Sequence, residues 1–414
     1  MGFKMKIYQV GGAVRDRLLG KKAEDFDYVV VGGTPQELID KGFQQVGKNF
    51  PVFLHPRTRD EYALARKEIK IGNKHTDFEF IFDKTVTLQE DVLRRDFTMN
   101  ALALDEETGE IIDYVGGKKD IEEKRIRHIH SEHFKEDALR VLRMCRFAAQ
   151  LHFEIDQETM QLAQQMVQEG MLSHLSQERI FKEIEKALQT DGFDIFIAMM
   201  KECGALKEVL PEVDKLFSIP EKEEFHPEKN TGEHTLLALK EAKEYSPFVK
   251  FAVLLHDIGK ILTPQIILPS HYGHDAKGVL LIKDICARLK VPKKYEMMAV
   301  LASEYHMVAR KVGEMPLMDL YCFVSKVSRG FKRKESLENL FLVCKADIYG
   351  RGKVLEQKEF DNLSVAEVRS LRLFDEVKKI NLMRMPDFDK ARKDNSFKAK
   401  ADTYILNILE PKKI

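Results

Sequence analysis

The stretch VGGAVRDRLLGKKAEDFDYVVVGG, residues 10–33, decides the fold of the amino-terminal part of the chain. Gly11 and Gly12 let backbone approach a ligand closely, and the free N–H groups of a helix that opens there favour a phosphate. Arg15 lies on the first turn of that helix and adds a bidentate phosphate donor. Gly20 is typical of the residue that follows a helix end. The stretch therefore predicts a helix that begins at a phosphate cradle.

Two aspartates precede the strand that comes next. Asp25 and Asp27 flank Phe26, directly before the apolar residues 28–31. Because side chains alternate along a strand, both carboxylates face the same side, away from Phe26. Two carboxylates on one rigid face suit Mg²⁺ ions that also hold substrate phosphates. A glycine pair alone is commonly a turn and an Asp-x-Asp alone a loop or cap, but the two together indicate nucleotidyl transfer.

Two later segments extend this pattern into a family resemblance. They are RRDFTMNA, residues 94–101, and EDALRVLR, residues 136–143. With the opening stretch they resemble the class II CCA-adding enzymes (tRNA nucleotidyltransferases) and their relatives, the bacterial poly(A) polymerases. The likeness continues to His256-Asp257 and covers about residues 5–350. It implies an α+β fold, with a polymerase β-like α/β nucleotidyltransferase head followed by an all-α neck, body and HD domain.

The resemblance also implies a reaction and a set of head residues. The reaction is template-independent addition of C, C and A to tRNA lacking its 3′ CCA, from CTP and ATP. Asp25 and Asp27 would be catalytic and bind two Mg²⁺ ions, Gly12 and Arg15 would cradle phosphates, and Arg95 would contact the nucleotide. Arg94 and Arg95 could instead be helix-surface partners of nearby carboxylates. A third metal-side carboxylate stays open among Glu61, Glu68, Asp77 and Glu79.

The segment at 136–149 carries a row of charged residues every three positions, which a helix would place along one wall: Asp137, Arg140, Arg143 and Arg146. Cytosine and adenine both present an amino donor beside a ring-nitrogen acceptor. An ionised Asp only accepts and an Arg only donates, so the pair matches C and A and disfavours U and G. The resemblance implies this templating role for Asp137 and Arg140, with Arg143 and Arg146 as further nucleotide contacts. The alternative is a salt-bridged surface helix.

A second group of chemically active residues follows in the carboxyl-terminal half. His234, the pair His256-Asp257 and the later Asp347 resemble the H…HD…D metal site of HD-type phosphohydrolases, and His271, His274 and His306 fall in the same segment. Imidazole with carboxylate suits a transition metal such as Ni²⁺, Mn²⁺ or Co²⁺. The resemblance implies 2′,3′-cyclic phosphodiesterase, 2′-nucleotidase and phosphatase activities. A relic site used only for packing or dimer contact is the alternative.

The composition limits the remaining choices. The chain has 414 residues with 67 Lys+Arg and 67 Asp+Glu, so RNA binding must rest on local basic stretches, of which 326–334 and 390–400 are the densest. Five scattered cysteines indicate free buried thiols in a reducing compartment. No apolar run approaches membrane-span length, so we expect a cytoplasmic protein without membrane contact.

The expected organisation has four parts. These are a catalytic head over 1–130, a helical neck and body over 131–225, an HD domain over 226–350 and a helical tail over 351–414. Residues 66–76 lack periodicity and indicate a mobile loop. We expect a monomer or a homodimer. Two other functions stay open, a bacterial poly(A) polymerase and a phosphohydrolase whose head merely binds nucleotide or RNA.

Overall fold

The structure is a computed structural model of the whole chain. It describes residues 5–23, 25–46, 52–70, 78–81, 84–222, 228, 230–351, 357–380, 384 and 397–412. The chain divides into two compact units. Unit 1 comprises residues 1–175 with 202–205, and unit 2 comprises residues 176–201 with 206–414. Our four-part division stays a prediction.

Unit 1 contains a seven-stranded mixed sheet in the order β3-β4-β5-β2-β1-β8-β9. Strand β2 pairs with β5 in parallel, and the other neighbours in this sheet are antiparallel. A hairpin of β6 and β7 and a parallel pair of β10 and β11 stand apart from this sheet. The strands are β1 Lys6–Val10, β2 Asp27–Val31, β3 Gln44–Val46, β4 Val52–Leu54, β5 Glu61–Leu64, β6 Lys67–Lys70, β7 Phe78–Ile81, β8 Ala103–Asp105, β9 Ile111–Ile112, β10 Arg125–Ile126 and β11 Glu154–Ile155.

Both faces of the sheet are covered, as the alternation of β2 shows. Val29 belongs to one buried cluster with Val92, whereas the next residue, Val30, packs on the other face with Leu38. Asp27 is two residues before Val29, so it shares the Val29 face at the strand start. The helices of unit 1 are α1 Gly12–Leu18, α2 Pro35–Asp40, α3 Leu88–Leu93, α4 Gly117–Glu122, α5 Ser131–Lys135, α6 Leu139–Leu151 and α7 Gln157–Gln168.

Local sequence signals set several of these boundaries. Helix α1 begins at Gly12 after Gly11, and Gly20 follows its end with φ 68°, as the sequence predicts. Thr34 opens α2 with a capping box to Glu37 and a proline at the first helical position.

Unit 2 is helical where the structure describes it. Its helices are α8 Gln177–Leu188, α9 Phe193–Glu202, which ends in unit 1, α10 Ala205–Val209, α11 Pro211–Leu216, α12 Thr231–Glu241, α13 Pro247–Leu255, α14 His274–Arg288, α15 Lys293–Ala309, α16 Leu317–Val327, α17 Lys334–Tyr349, α18 Gln357–Lys379 and α19 Phe397–Leu409. None of the helices within the described ranges is long and apolar enough to cross a membrane.

Two glycines allow three segments of unit 2 to cross at close range. A Cβ on Gly259, in the 3₁₀ turn Ile258–Leu262, would lie 1.9 Å from the His274 carbonyl oxygen and 2.7 Å from the Gly278 nitrogen. A Cβ on Gly278 would lie 2.3 Å from Ser303 Oγ. The turn, α14 and α15 therefore meet without room for a methyl group.

The structure corrects three expectations. Residues 67–70 are not part of a loop but form β6, which pairs with β7; residues 71–77 lie outside the described ranges. The helix expected from 136 begins at Leu139, so Asp137 precedes it. Cys322 is exposed, whereas Cys145, Cys203, Cys286 and Cys344 are buried and free as expected.

Candidate active sites

The first candidate site lies where β1 runs into α1. Gly11 has φ 76°, and a Cβ on it would lie 3.6 Å from Asp27 Oδ2 and 3.8 Å from Arg95 Nη1. A carboxylate, a guanidinium and a side-chain-free stretch of backbone thus meet at one point. Asp25 lies just outside β2 and is exposed, like Asp27.

Glu61 is a third carboxylate, beside Asp25 and Asp27. It is the register partner of Asp27 in the parallel ladder between β2 and β5. Partial burial raises the pKa of Asp27, the negative charges of Glu61 and Asp25 raise it further, and Arg95 opposes them. Glu61 is therefore the third carboxylate favoured among the four that the sequence left open. Asp77 and the side chains of Glu68 and Glu79 lie outside what the structure describes.

The two consecutive arginines at the end of α3 share one buried carboxylate. Arg94 Nη2 lies 2.6 Å from Asp91 Oδ1, and Arg95 Nη2 lies 3.1 Å from Asp91 Oδ2. Burial would raise the pKa of Asp91, but the two guanidinium groups outweigh it and lower that pKa. The ion pairs expected for a helix surface do form with Asp91, and they fix Arg95 beside Gly11.

A polar chain connects α1 to α6 through the turn that follows Arg95. Arg15 is buried and donates from Nη1 to Asn100 Oδ1 at 2.7 Å, while its Nε donates to Asp16 at 2.9 Å. Asn100 Nδ2 lies 3.4 Å from Asp96 Oδ1, and Arg143 Nε donates to Asp96 Oδ2 at 2.8 Å. The predicted phosphate residue and a predicted nucleotide contact are thus joined by two buried side chains that sequence reasoning had not connected.

The ring of Phe147 is surrounded by three of the predicted site arginines. The guanidinium carbon lies 5.4 Å from the ring centroid for Arg15, 5.4 Å for Arg143 and 4.1 Å for Arg146. Phe147 is buried, so these cation–π contacts are partly shielded from water. The ring keeps three positive groups close together that would otherwise repel one another.

Asp137 and Arg140 stand at the start of α6 with different roles in the local structure. Asp137 Oδ1 accepts a hydrogen bond from the backbone N–H of Leu139, the first residue of α6, at 3.0 Å. Arg140 donates to the backbone carbonyl of His133 at 2.5 Å and to that of Arg94 at 2.8 Å. The predicted base-reading arginine thus reaches the segment that carries Arg95.

The second candidate site, in unit 2, consists of two buried groups of possible metal ligands. One is His234, His256 and Asp347, and the other is Asp257, His274 and His306. Within each group the ligand atoms all lie within 4.8 Å of one another. The four residues predicted from the sequence are divided between the groups, and His274 and His306 complete the second. Both histidines stood in the sequence segment, but no spacing rule assigned them.

Three of these histidines are oriented in the same way. His256, His274 and His306 each place Nδ1 against a backbone carbonyl, at 2.8, 2.7 and 3.0 Å. Because Nδ1 donates to the carbonyl, Nε2 is the electron-pair donor when the ring is neutral, as it is in a metal ligand. Nε2 of His274 lies 3.1 Å from Asp257 Oδ1, and Nε2 of His306 lies 3.5 Å from the same oxygen. This is the arrangement that holds imidazole ligands ready for a metal ion.

The fit to a cation is supported by one buried atom. His256 Nε2 lies 3.2 Å from Asp257 Oδ2, yet it has no hydrogen-bond partner of acceptable geometry in the described part of the chain. Burial would lower the pKa of His256, but the adjacent charges of Asp257 and Asp347 raise it to about 10. An imidazole nitrogen this close to buried carboxylates is well placed to bind a metal cation together with them.

Cations surround the carboxylates and the cavity that reaches them. Lys260 Nζ lies 2.8 Å from Asp257 Oδ2 and 2.6 Å from Glu221 Oε1, and Arg310 pairs with Asp347. A cavity of about 260 Å³ is lined by Asp257, His274, His306 and Asp347 together with Lys222 and Arg351. An anionic phosphoester could therefore enter beside the second group of ligands.

Comparison with known proteins gives three consecutive family matches. The Poly A polymerase head domain matches residues 7–127, the probable RNA and SrmB-binding site of polymerase A matches 152–217, and the HD domain matches 231–352. The Multifunctional CCA protein of Teredinibacter turnerae is 48% identical over 352 residues, 84% of this chain and 85% of the relative. That of Shewanella denitrificans is 47% identical over 354 residues, 84% of each chain.

Solved structures share the fold at lower identity. A CCA-adding enzyme in complex with ATP gives a TM-score of 0.64 at 20% identity, covering 98% of this chain and 86% of that one. The Bacillus stearothermophilus CCA-adding enzyme in complex with CTP gives 0.63 at 21% identity, covering 99% and 89%.

Proposed function

Because the chain belongs to the multifunctional CCA protein family, we propose that its head adds C, C and A to the 3′ end of tRNA from CTP and ATP. The chain is a tRNA nucleotidyltransferase that also carries an HD domain. One observation supports the head as the site of addition: Asp27 and Arg95 meet at the backbone of Gly11, with Glu61 beside them. We also propose that the protein acts in the cytoplasm.

We infer that Asp25, Asp27 and Glu61 hold Mg²⁺. Partial burial first, and then the negative charges of Glu61 and Asp25, raise the pKa of Asp27 and so favour a positive charge beside it, and oxygen ligands are those that Mg²⁺ prefers. When held by these carboxylates, the ions would supply positive charge to the triphosphate and would lower the pKa of the attacking 3′-hydroxyl. The backbone N–H groups that follow Gly11, including that of Gly12, bind phosphate, and Arg95 neutralises charge that develops there.

The incoming base is selected from α6. Asp137 accepts a hydrogen bond from the amino group of cytosine or adenine, and Arg140 donates to the adjacent ring nitrogen. Each correct contact discriminates against uracil and guanine by about 1–3 kcal/mol. Arg143 and Arg146, together with the buried Arg15, keep positive charge around Phe147 beside the nucleotide.

The direct test uses tRNA that lacks its 3′ CCA, with Mg²⁺ and the four labelled nucleotides supplied singly and then as CTP with ATP. Two additions with CTP, one further A with the mixture and then a stop are expected. Asp27→Ala should abolish addition, and Glu107→Gln, which removes an exposed carboxylate at a turn, should not. Long ladders from ATP alone would instead identify a poly(A) polymerase.

We propose that the HD domain is a second, metal-dependent phosphohydrolase with 2′,3′-cyclic phosphodiesterase, 2′-nucleotidase and phosphatase activity. The two buried ligand groups and the cation-lined cavity that reaches them support it. A transition metal such as Ni²⁺, held by these residues, supplies Lewis acidity for attack on a phosphoester. Lys260 holds Asp257 in place, and Lys222 and Arg351 attract the anionic substrate.

The two activities should separate by mutation. His256→Ala should remove hydrolysis of 2′,3′-cyclic AMP and leave nucleotide addition, whereas Asp27→Ala should do the reverse. Hydrolysis that survives His256→Ala at the wild-type rate would mean that the HD site is a structural relic. Loss of addition in His256→Ala, with an unchanged melting temperature, would mean that the two sites are coupled.

A further inference from the structure

A small cavity on unit 2 lies away from both ligand groups described above. It has a volume of about 100 Å³ and lies between α13, α15, the end of α16 and the start of α17. The segment that joins α16 to α17, residues 328–333, forms one side of it. This segment belongs to the basic stretch 326–334 noted in the sequence, which the two proposed activities leave without a role.

The connecting segment is held in one unusual conformation. Arg329, Gly330 and Phe331 all have positive φ, at 53°, 69° and 58°. Left-handed backbone is unfavourable for an arginine and for a bulky residue such as Phe331, and it persists only where the surroundings impose it. Ser328 imposes it here: its Oγ accepts from the Phe331 N–H at 3.0 Å, and its carbonyl accepts from the Arg333 N–H at 2.9 Å. The segment is therefore a fixed support for its side chains.

The lining of this cavity has an excess of positive charge. Lys294, Arg329 and Arg333 are exposed lining residues, and none of them forms an ion pair with any residue that the structure describes. The neighbouring Lys334 differs, since it pairs with Asp375 at 2.8 Å. Glu335 is the one carboxylate in the lining. Because the whole chain has a formal net charge of zero, three unpaired cations at one cavity are a local concentration of charge.

The floor of the cavity is apolar and aromatic. Met297, Met298 and Leu301 of α15 line it, with Phe248 of α13. Lys294 Nζ lies 3.8 Å from the centroid of the Phe248 ring, so the cation and the aromatic surface adjoin. An apolar floor beneath a cationic rim matches a planar base attached to a phosphodiester.

We propose that this cavity binds one unstacked nucleotide of the tRNA substrate. This nucleotide is not one of those at the 3′ end, where C, C and A are added. The phosphate binds Arg329 and Arg333, and the base lies against the methionine floor and Phe248. Fixed arginines on a rigid segment bind a phosphate without the loss of loop entropy that a mobile segment would suffer. This inference rests on the proposed function, because it takes tRNA as the substrate.

The first experiment measures the dissociation constant of CCA-less tRNA between 50 and 200 mM KCl for wild type, for Arg329→Ala/Arg333→Ala and for a matched control. The control, Lys240→Ala/Lys283→Ala, removes two exposed lysines of unit 2 that lie outside the cavity. Loss of the one phosphate contact that the two arginines share should lower the slope of log Kd against log salt by about 0.7 to 0.9. The control should keep the wild-type slope within about 0.3.

A second variant moves affinity in the opposite direction. Glu335→Gln removes the carboxylate that repels the phosphate, so it should tighten tRNA binding about 2- to 5-fold at 50 mM KCl. A variant that merely disturbed the fold would not bind more tightly. If Glu335→Gln leaves tRNA affinity unchanged, or if the double-arginine variant keeps the wild-type slope, the proposal is wrong.

The outcomes also separate this proposal from the function on which it rests. Wild-type protein that neither extends nor binds tRNA would overturn the proposed function. Wild-type protein that extends tRNA, with an unchanged salt slope in the double-arginine variant, would overturn only the cavity assignment. Weaker binding of free ATP or CTP in the double-arginine variant, with tRNA binding unaffected, would assign the cavity to free nucleotide and likewise overturn it.

Discussion

Asp27 and Glu61 are register partners across the parallel ladder of β2 and β5, at the start of both strands. The negative charge of Glu61 contributes to the raised pKa of Asp27, and we propose that the two carboxylates share a cation. We expect Glu61→Gln to lower kcat for CMP addition about 10- to 100-fold and to raise the Mg²⁺ concentration needed for half-maximal rate. Titration of the rate with Mg²⁺ measures both effects.

The control for this prediction is Glu107→Gln, which makes the same charge change at an exposed turn. It should leave the Mg²⁺ dependence unchanged. A normal Mg²⁺ requirement in Glu61→Gln would exclude Glu61 from the metal site and return attention to Glu68, Asp77 and Glu79.

Phe147→Leu tests the ring that gathers three arginines. Leucine keeps an apolar side chain but removes the electron-rich face, so the contacts of Arg15, Arg143 and Arg146 with it are lost. We expect KM for CTP and ATP to rise about 3- to 10-fold with a smaller change in kcat. Steady-state kinetics with each nucleotide separates the two constants. Phe153→Leu, at another buried phenylalanine of unit 1, is the control; equal KM effects in both would indicate a loss of packing only.

Asp96→Asn tests the buried link between the segment after Arg95 and α6. Burial would raise the pKa of Asp96, but Arg143 lowers it below its usual 3.8. A depressed pKa stabilises the fold above about pH 4 and loses that effect as the pH falls through the folded value. Removing one partner of such a buried pair costs about 3–5 kcal/mol. Asp96→Asn should therefore be less stable at pH 7, with the difference shrinking towards pH 3.

Urea unfolding at several pH values measures this change through the free energy of unfolding. Asp16→Asn, which alters a carboxylate at the other end of the same chain of contacts, is a useful comparison. If the difference between wild type and Asp96→Asn stays constant from pH 7 to pH 3, the Arg143 contact is not the cause.

The metal content tests whether the HD domain has one site or two. Each ligand group holds two histidines and one carboxylate, so a chain loaded with Ni²⁺ and desalted should retain two ions. His234→Ala and His274→Ala should each retain about one, measured by mass spectrometry of the metal. His174→Ala, an exposed histidine outside both groups, should retain two. Complete loss in either ligand variant would mean that all six residues form one interdependent site.

Much of the head could be predicted because its signals are local. The capping box at Thr34, the helix that opens after Gly11 and the strand headed by Asp27 each depend on residues within a few positions. Glu61 was one of four candidates, and its pairing with Asp27 could not be predicted, because two strands whose partners are 34 positions apart leave no local pattern. Ile180, Ile184 and Leu188 of α8 recur at helical spacing and are all buried, because helical periodicity is also a local signal.

In the second site too, contacts between residues distant in the sequence could not be predicted. His256 and Asp257 are adjacent and easily noticed, but they belong to different ligand groups. His306 comes 49 positions after Asp257, and only the crossing of α14 and α15 brings it there. Likewise, Nη1 and Nη2 of Arg140 donate to the backbone carbonyls of His133 and Arg94, contacts that no residue pattern could indicate, and the base-reading role of Arg140 stays a prediction.

Transfer of this metal centre to another protein must preserve two close contacts, that of Gly259 with His274 and that of Gly278 with Ser303. The ligands Asp257, His274 and His306 come from three segments, which pack so closely at the two glycines that a methyl group would not fit. A graft that copied the six ligands onto a host with alanine at either glycine would spread the segments and separate the ligands. A design must therefore retain both glycines as well as the histidines, although a glycine has no side chain that could bind a metal.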